Sequence, residues 1–354
     1  MTEKITLTVH PDGNPFGAHR VLEPQGVLPQ PADKINNNCS HVWDNEILVD
    51  VQYLNIDSAS FTQIKAEQGE DKRIISRIKE IVQSRGKMHN PVTGSGGMLI
   101  GTVEYIGEKL QSTCPLAPGD KIVSLVSLSL TPLQIDKIIA LNRKTDQVQI
   151  SGKAILFANS LYARLPEDMS ETLALAVLDV CGAPAQTARL VQAGDTVVIV
   201  GAGGKSGVLC AWEAQRRAGV NGKVIGIAHS DKGAAGLRKL NLCDKVIVLD
   251  ARDAIGCYTA ILAQTDGSLA DIVINCVNVP DTELSSIMMC RERGTVYFFS
   301  MATSFTKAAL GAEGIGKDVE MIIGNGYTRG HAETALNILR ESEAIRRRFE
   351  ESYS

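Results

Sequence analysis

The residues most able to do chemistry are Gly201-Ala202-Gly203-Gly204-Lys205-Ser206-Gly207, which directly follow the apolar run Thr196 to Val200 and open an amphipathic stretch. A glycine turn between strand and helix gathers unpaired amide N–H groups and the positive end of a helix dipole in one place, which suits a pyrophosphate. Gly201 permits the tight turn and Gly203 lets the backbone approach the ligand. Ser206 stands where a third glycine usually packs helix against strand. Gly204 and Lys205 complete the expected phosphate contacts, so the expected ligand is a nicotinamide dinucleotide. The next strand ends in Ala228-His229-Ser230, without the acid that usually holds the adenosine ribose. His229, Ser230 and Lys232 are candidate donors to a 2′-phosphate, which leans the choice between NAD and NADP toward NADP. Asp231 is either an opposing acid or the cap of the following helix.

These residues need an α/β scaffold, and residues from about Pro166 onward supply its pattern. Thr196 to Val200, Lys223 to Ala228, Lys245 to Leu249, Ile272 to Val277, Thr295 to Ser300 and Val319 to Ile323 read as strands. Helices fit Lys205 to Ala218, Lys232 to Leu240 and a closing stretch from His331 to about Arg348. Short apolar runs alternating with helices predict a doubly wound domain with a parallel sheet, over residues 166–354. Ligands gather outside the carboxyl ends of such strands, so Val277, Asn278, Ser300 and Met301 are expected at the nicotinamide.

Residues 1–165 read as mostly β, with strands at Glu46 to Leu54, Leu99 to Ile106 and Lys121 to Leu128, and a helical insert from Asp71 to Arg85. In that insert Ile74, Ile75, Ile78, Ile81 and Val82 recur at helical spacing. One face should pack while the charged face stays in water.

The whole chain has 354 residues, 44% of them hydrophobic and 21% charged, with a net charge of −4. This suits two globular domains and excludes a disordered chain. No cluster of Lys or Arg with interleaved aromatics offers a nucleic-acid footprint. Met1 to Val9 lacks a signal-peptide core, and no run approaches a membrane span. A cytoplasmic protein is expected. The eight cysteines are dispersed without C-x-x-C pairs, which favours free thiols over disulfides or metal ligation.

The order of motifs resembles the medium-chain dehydrogenase/reductase superfamily, in which a GroES-like β domain precedes a Rossmann domain. The resemblance rests on Asn45 to Val51 with Asn55-Ile56-Asp57, Gly101 to Gly107, Pro118 to Ile122 and the turn at Gly201. More closely, residues 54–62, His89 to Met98, Gly201 to Gly207, Ile274 to Thr282 and Phe299 to Lys307 are similar to the 3,5-diaminohexanoate dehydrogenase family of lysine fermentation. That resemblance implies oxidative deamination of a 3-amino group, with release of ammonium. The zinc alcohol dehydrogenases of the superfamily place a Cys where this chain has Asp57, and a His-Glu pair where it has Gly97-Met98. A catalytic zinc needs three protein ligands, so none is expected. The superfamily also implies a homodimer or homotetramer. Its usual C-terminal return to the β domain is missing, and the N-terminal extension is a candidate to replace it.

An amine must lose a proton before it can give up hydride, because an ammonium has no lone pair to stabilise the developing iminium. Asp57, at a cleft position in the resemblance, is the first candidate base or ammonium holder, against a turn-forming role with Ser58. Asp179, in the apolar segment Leu173 to Val180, is the second, since a carboxylate there requires a partner. Glu104 is a weaker candidate, with domain packing as its alternative. Lys307 is the candidate cation for a substrate carboxylate, with Lys87, His89 and Arg329 as alternatives. Two other functions fit the same frame: a zinc-free carbonyl or quinone reductase, and a non-catalytic NADP-binding protein.

Overall fold

The computed structural model describes residues 7–324 and 326–353, so part of the segment Met1 to Val9 lies outside the described residues. The chain divides into two compact units, the first ending at Glu171 and the second beginning at Thr172.

The first unit is built on a six-stranded sheet of β1 (Glu46–Ile56), β2 (Gly97–Ile106), β3 (Lys121–Ser124), β4 (Leu133–Asn142), β5 (Gln147–Phe157) and β6 (Tyr162–Arg164). Its order is β6-β3-β2-β1-β5-β4, with every neighbouring pair antiparallel. The expected strand from Lys121 to Leu128 stops at Ser124. Between β1 and β2 lie two helices, α1 (Ser58–Gln68) and α2 (Asp71–Arg85). The apolar stripe of α2 buries Ile74, Ile78, Ile81 and Val82 in one core with Phe61 and Ile64 of α1 and with Val49, Val51 and Leu54 of β1. At about 1.5–3 kcal/mol for each large apolar side chain, this burial is what fixes both helices on the sheet.

The N-terminal extension is locked to this unit by a buried ion pair. Arg20 and Glu46 are both 0% exposed. The guanidinium donates through Nε to Oε1 at 2.7 Å and through Nη2 to Oε2 at 2.6 Å. Its remaining donors reach the carbonyls of Asn36, Asn38 and His41, and Trp43 N–H completes the carboxylate at 3.0 Å. Two desolvated charges are tolerable only with such complete partnering.

The boundary falls at the first residue of α3 (Glu171–Leu178); the second unit takes in the rest of that helix and α4 (Gly182–Leu190) and continues as alternating strands and helices. The strands are β7 (Thr196–Val200), β8 (Lys223–Ala228), β9 (Lys245–Val248), β10 (Ala270–Asn275), β11 (Cys290–Phe298) and β12 (Glu320–Ile323). They form one parallel sheet in the order β9-β8-β7-β10-β11-β12. The chain therefore begins in the middle of the sheet, winds outward one way, then returns to wind the other. Its switch point lies between β7 and β10, which is where a doubly wound sheet holds a dinucleotide. The helices are α5 (Lys205–Ala218), α6 (Asp231–Leu240), α7 (Ala254–Gln264), α8 (Glu283–Met289), α9 (Phe305–Ile315), α10 (His331–Glu341) and α11 (Glu343–Tyr353).

Three expectations for this unit are corrected. The single closing helix is two, because Ser342 adopts an extended conformation that breaks the helix before α11. The cap of α6 is Ser230, whose hydroxyl accepts from Gly233 N–H, and not Asp231, which is its first residue. The strand expected from Ile272 to Val277 ends at Asn275, where the side-chain amide oxygen turns back to accept from Val277 N–H at 3.0 Å. All eight cysteines are free. Among the described residues no helix is long and apolar enough to cross a membrane.

Candidate active site

The glycine turn leaves β7 at the switch point. Gly201 has φ +81°, a left-handed conformation, and a Cβ on it would stand 2.9 Å from Val277 Cγ2. Its amide and that of Ala202 both donate to Ile227 O, at 2.9 and 3.0 Å, and Gly204 N–H closes the turn on Gly201 O at 3.0 Å. The close approach of helix to turn falls on Gly207 and not on Ser206. A Cβ at Gly207 would lie 2.3 Å from Gly201 O and 2.6 Å from Ala202 Cα. The third glycine of the motif is thus displaced by one position, and Ser206 is left half-buried at the start of α5. Among the described residues the amides of Gly203 and Ser206 have no protein acceptor, the condition that makes a helix N-terminus an anion cradle. This cradle fits the pyrophosphate of a dinucleotide.

Around it, His229, Ser230 and Lys232 are all exposed at the end of β8. Beyond β9, Arg252 grips Asp250 through Nε at 3.0 Å and Nη2 at 2.7 Å, and these bonds, with the nearby His229, hold the Asp250 carboxyl well below the usual carboxylate range. At the other end Val277 is half-buried and Asn278 exposed after β10; Ser300 and Met301 follow β11.

Asp179 lies in the same unit, between α3 and α4. It is not the buried carboxylate suggested by its apolar neighbours: it is exposed, and Lys205 Nζ donates to it at 2.8 Å. Lys307 opens α9 and is ion-paired with Asp281, in a groove of about 470 Å³ that also takes in Arg252, Glu283, Leu284 and Leu310. The pairing with Asp281 raises the Lys307 pKa, so its ammonium stays charged. Arg329 is exposed.

In the first unit, Asp57 is the N-cap of α1. Its Oδ1 accepts from Ala59 N–H at 2.9 Å and from the Ser95 hydroxyl at 3.1 Å. Its Oδ2 has no donor among the described residues. Behind Ser95 stands a hydroxyl cluster that sequence reasoning missed. Ser60 Oγ lies 2.6 Å from Ser95 Oγ and 2.5 Å from Thr93 Oγ1, and the Ser60 side chain is fully buried. The signal was available, since Ser60 belongs to one segment of the family resemblance and Thr93 and Ser95 to another. Gly97 lies against this site: with φ +114° its Cβ would be 2.0 Å from Asn55 O and 2.8 Å from Asp57 N. No side chain, histidine included, fits there. Among the described residues no three His, Cys, Asp or Glu side chains gather as a metal would require.

The remaining candidates have other occupations. Glu104 is ion-paired with Lys153. Lys87 is fully buried and donates to the carbonyls of Pro29 and Gln30, at 2.6 and 3.0 Å, so it has no reach to a substrate. Burial and the neighbouring Lys87 and Arg85 push the His89 pKa down to about 4. It is neutral at ordinary pH and offers no charge to a carboxylate.

A β-rich unit followed in the chain by a doubly wound sheet with this turn at its switch point defines a medium-chain dehydrogenase/reductase architecture. Solved structures agree on the fold. The CurK enoyl reductase superposes with a TM-score of 0.53 at 17% identity, covering 84% of this chain and 79% of its own. A mycobacterial quinone oxidoreductase gives 0.52 at 18% identity, covering 88% and 82%. Sequence gives the family. Residues 19–166 match the L-erythro-3,5-diaminohexanoate dehydrogenase N-terminal domain. The enzyme of that name from Acetoanaerobium sticklandii is 60% identical over 342 residues, covering 96% of this chain and 99% of its own. That from Fusobacterium nucleatum is 56% identical over the same shares. The chain belongs to the L-erythro-3,5-diaminohexanoate dehydrogenase family.

Proposed function

We propose that the chain oxidises L-erythro-3,5-diaminohexanoate with NAD⁺ or NADP⁺ and water to 5-amino-3-oxohexanoate, ammonium and the reduced cofactor, with release of a proton. The observation that carries this reading is the 60% identity to a dehydrogenase of that name across 99% of its length. Neither the reductase nor the non-catalytic alternative has comparable support, because the reductase likeness stops at 17% to 18% identity.

When bound, the nicotinamide supplies the hydride acceptor. The chain's own task is to hold and deprotonate the amine, admit water to the imine and release ammonia. Asp57 is the proposed group for this work. Its Oδ1 is fixed by Ala59 N–H and Ser95, leaving Oδ2 to take an ammonium or its proton. Ser95, Ser60 and Thr93 then form a line of hydroxyls along which a proton can pass. Within the second unit, Asp179 is a proposed ammonium contact and Lys307 a proposed carboxylate contact, each by exchanging its present partner, Lys205 or Asp281.

At the adenosine end Ser230, His229 and Lys232 favour a 2′-phosphate while Asp231 opposes it. The balance of these groups leans to NADP. A mycobacterial relative of this fold was solved with NADPH. The deciding experiment supplies purified protein with the diamino acid and each cofactor in turn, and follows absorbance of the reduced nicotinamide. Turnover with either cofactor supports the reading, and none with both at alkaline pH removes it. Lys232→Gln should shift preference toward NAD and Asp231→Asn toward NADP.

A further inference from the structure

The C-terminal helix α11 sends an arginine into the back of the dinucleotide turn. Ile345 and Phe349 are both 0% exposed and anchor the helix. Between them Arg348 is half-buried, and its Nη2 donates to Gly203 O at 2.7 Å. Its Nε is buried with no acceptor, and among the described residues no carboxylate pairs with it. A half-buried guanidinium without a counter-ion is costly to keep, unless a negative group arrives nearby.

Two details show that the turn is built around this contact. Gly236 of α6 leaves the passage open, for a Cβ there would stand 2.4 Å from Arg348 Nη1. The peptide that Arg348 grips is also the one that closes the turn, since its other end, Gly204 N–H, donates to Gly201 O at 3.0 Å. Hydrogen bonding to the oxygen of a peptide polarises its N–H, so successive bonds strengthen one another. The chain of bonds runs from guanidinium to Gly203 carbonyl, through the Gly204 amide, to the Gly201 carbonyl.

We propose that Arg348 is a positioning residue for the cofactor pyrophosphate: it stiffens the glycine turn through the Gly203–Gly204 peptide and supplies the uncompensated positive charge behind it. This rests on the turn being the dinucleotide site. The charge-assisted bond to Gly203 O replaces the intrahelical acceptor role this carbonyl would otherwise have, so the turn's shape depends on a residue from the far end of the chain.

The test measures equilibrium binding of ADP-ribose, adenosine and each oxidised cofactor by calorimetry, on protein shown folded by circular dichroism and thermal melting. Arg348→Met should weaken ADP-ribose and cofactor by about tenfold, the scale of a lost charged hydrogen bond. Adenosine, which lacks phosphate, should bind as before, and turnover at saturating cofactor should fall less than about twofold, as expected when binding is lost and not chemistry. Gly236→Ala, whose Cβ would crowd Arg348 Nη1 while leaving the arginine itself in the sequence, should weaken ADP-ribose in the same direction. The double variant should be no weaker than Arg348→Met, because both act on one contact. Unchanged ADP-ribose affinity in a folded Arg348→Met protein overturns the proposal. If that variant does not fold, Arg348→Gln, which keeps most of the stem and loses the charge, decides in its place, and wild-type affinity there overturns the proposal equally. Failure of the unaltered protein to bind ADP-ribose would instead remove the dinucleotide reading itself.

Discussion

Replacing Gly207 by alanine should cripple cofactor binding, although the residue lies behind the turn. The added Cβ would sit 2.3 Å from Gly201 O, 2.6 Å from Ala202 Cα and 2.9 Å from Ala202 C, where ordinary contact begins at 3.4 Å. Relief of the worst overlap requires a retreat of 3.4 − 2.3 = 1.1 Å. Every atom in the way is backbone, and the Gly201 and Ala202 amides are pinned to Ile227 O at 2.9 and 3.0 Å. The strain therefore passes into the turn or into α5. Overpacking of this kind costs about 1–3 kcal/mol of stability. A displacement near 1 Å in a positioning group can cost on the order of 10²-fold in function. Two variants calibrate the argument. Gly204→Ala meets nothing closer than 3.4 Å at φ −82° and should bind cofactor within about threefold of the parent, the scale of a neutral substitution. Ser206→Gly leaves the packing at Gly207 intact and should keep the turn closed. Titration of the reduced cofactor by fluorescence, with a thermal melt of each protein, gives both quantities. Parental affinity and melting temperature in Gly207→Ala would refute the assignment of the packing role to this glycine.

Asp57→Asn should retain the α1 cap, because asparagine caps as well as aspartate, and should lower kcat by about 10²–10⁴-fold with cofactor affinity intact, as removal of an acid–base group does; a fully active variant would take Asp57 out of the mechanism. Arg20→Met leaves the buried Glu46 carboxylate without its guanidinium, with only His19 and the Trp43 N–H remaining, so unfolding in urea should show a loss of about 3–5 kcal/mol, largely recovered by adding Glu46→Leu. Acid should destabilise the first unit in two stages. His89 is held neutral with a pKa of about 4 against the ordinary 6.5, so between those values only the unfolded chain takes up its proton and stability drains as pH falls. Burial pushes the Glu46 carboxyl up, but its bonds to Arg20, His19 and Trp43 prevail and hold it below the ordinary 4.5, so its contribution is whole above 4.5 and is lost below. Melting temperatures measured from neutral pH downward check both, and His89→Gln should flatten only the upper stage.

The strands Thr196–Val200 and Lys223–Ala228 and the helix Lys205–Ala218 were legible to their end residues. The reason is physical: strands covered on both faces have no room for polar residues, and glycines mark where they end. The same logic reads α2, whose isoleucines recur on one face. It fails for β4, where most positions are exposed and no apolar run is required. It fails too for α1, which holds its place with little more than Phe61 and Ile64. Asp57, the N-cap of α1, is the start signal that the sequence does carry for this helix. At the turn, the shift of the packing glycine from Ser206 to Gly207 depends on how α5 is set against Gly201 O, which no spacing rule encodes. The Arg348 contact joins residues 145 positions apart, and nothing local announces it.

The two units therefore concentrate their unexplained polar groups in places with opposite needs. Behind the glycine turn no carboxylate among the described residues pairs with Arg348, which suits the pyrophosphate proposed for that turn. At the head of α1 the Asp57 carboxylate has one oxygen bound and, among the described residues, no donor on the other, and it is backed by three hydroxyls within 2.5–3.2 Å of one another. Of the three, Ser95 touches Asp57, and a hydroxyl can donate to a neighbour or accept from it. The Ala59 N–H on the same Oδ1 is a fixed donor, so the oxygen left to receive a proton is Oδ2. Under the proposed function this arrangement gives a proton taken up by Asp57 a route through Ser95 to Ser60 and Thr93, which is the feature that Asp57→Asn would break.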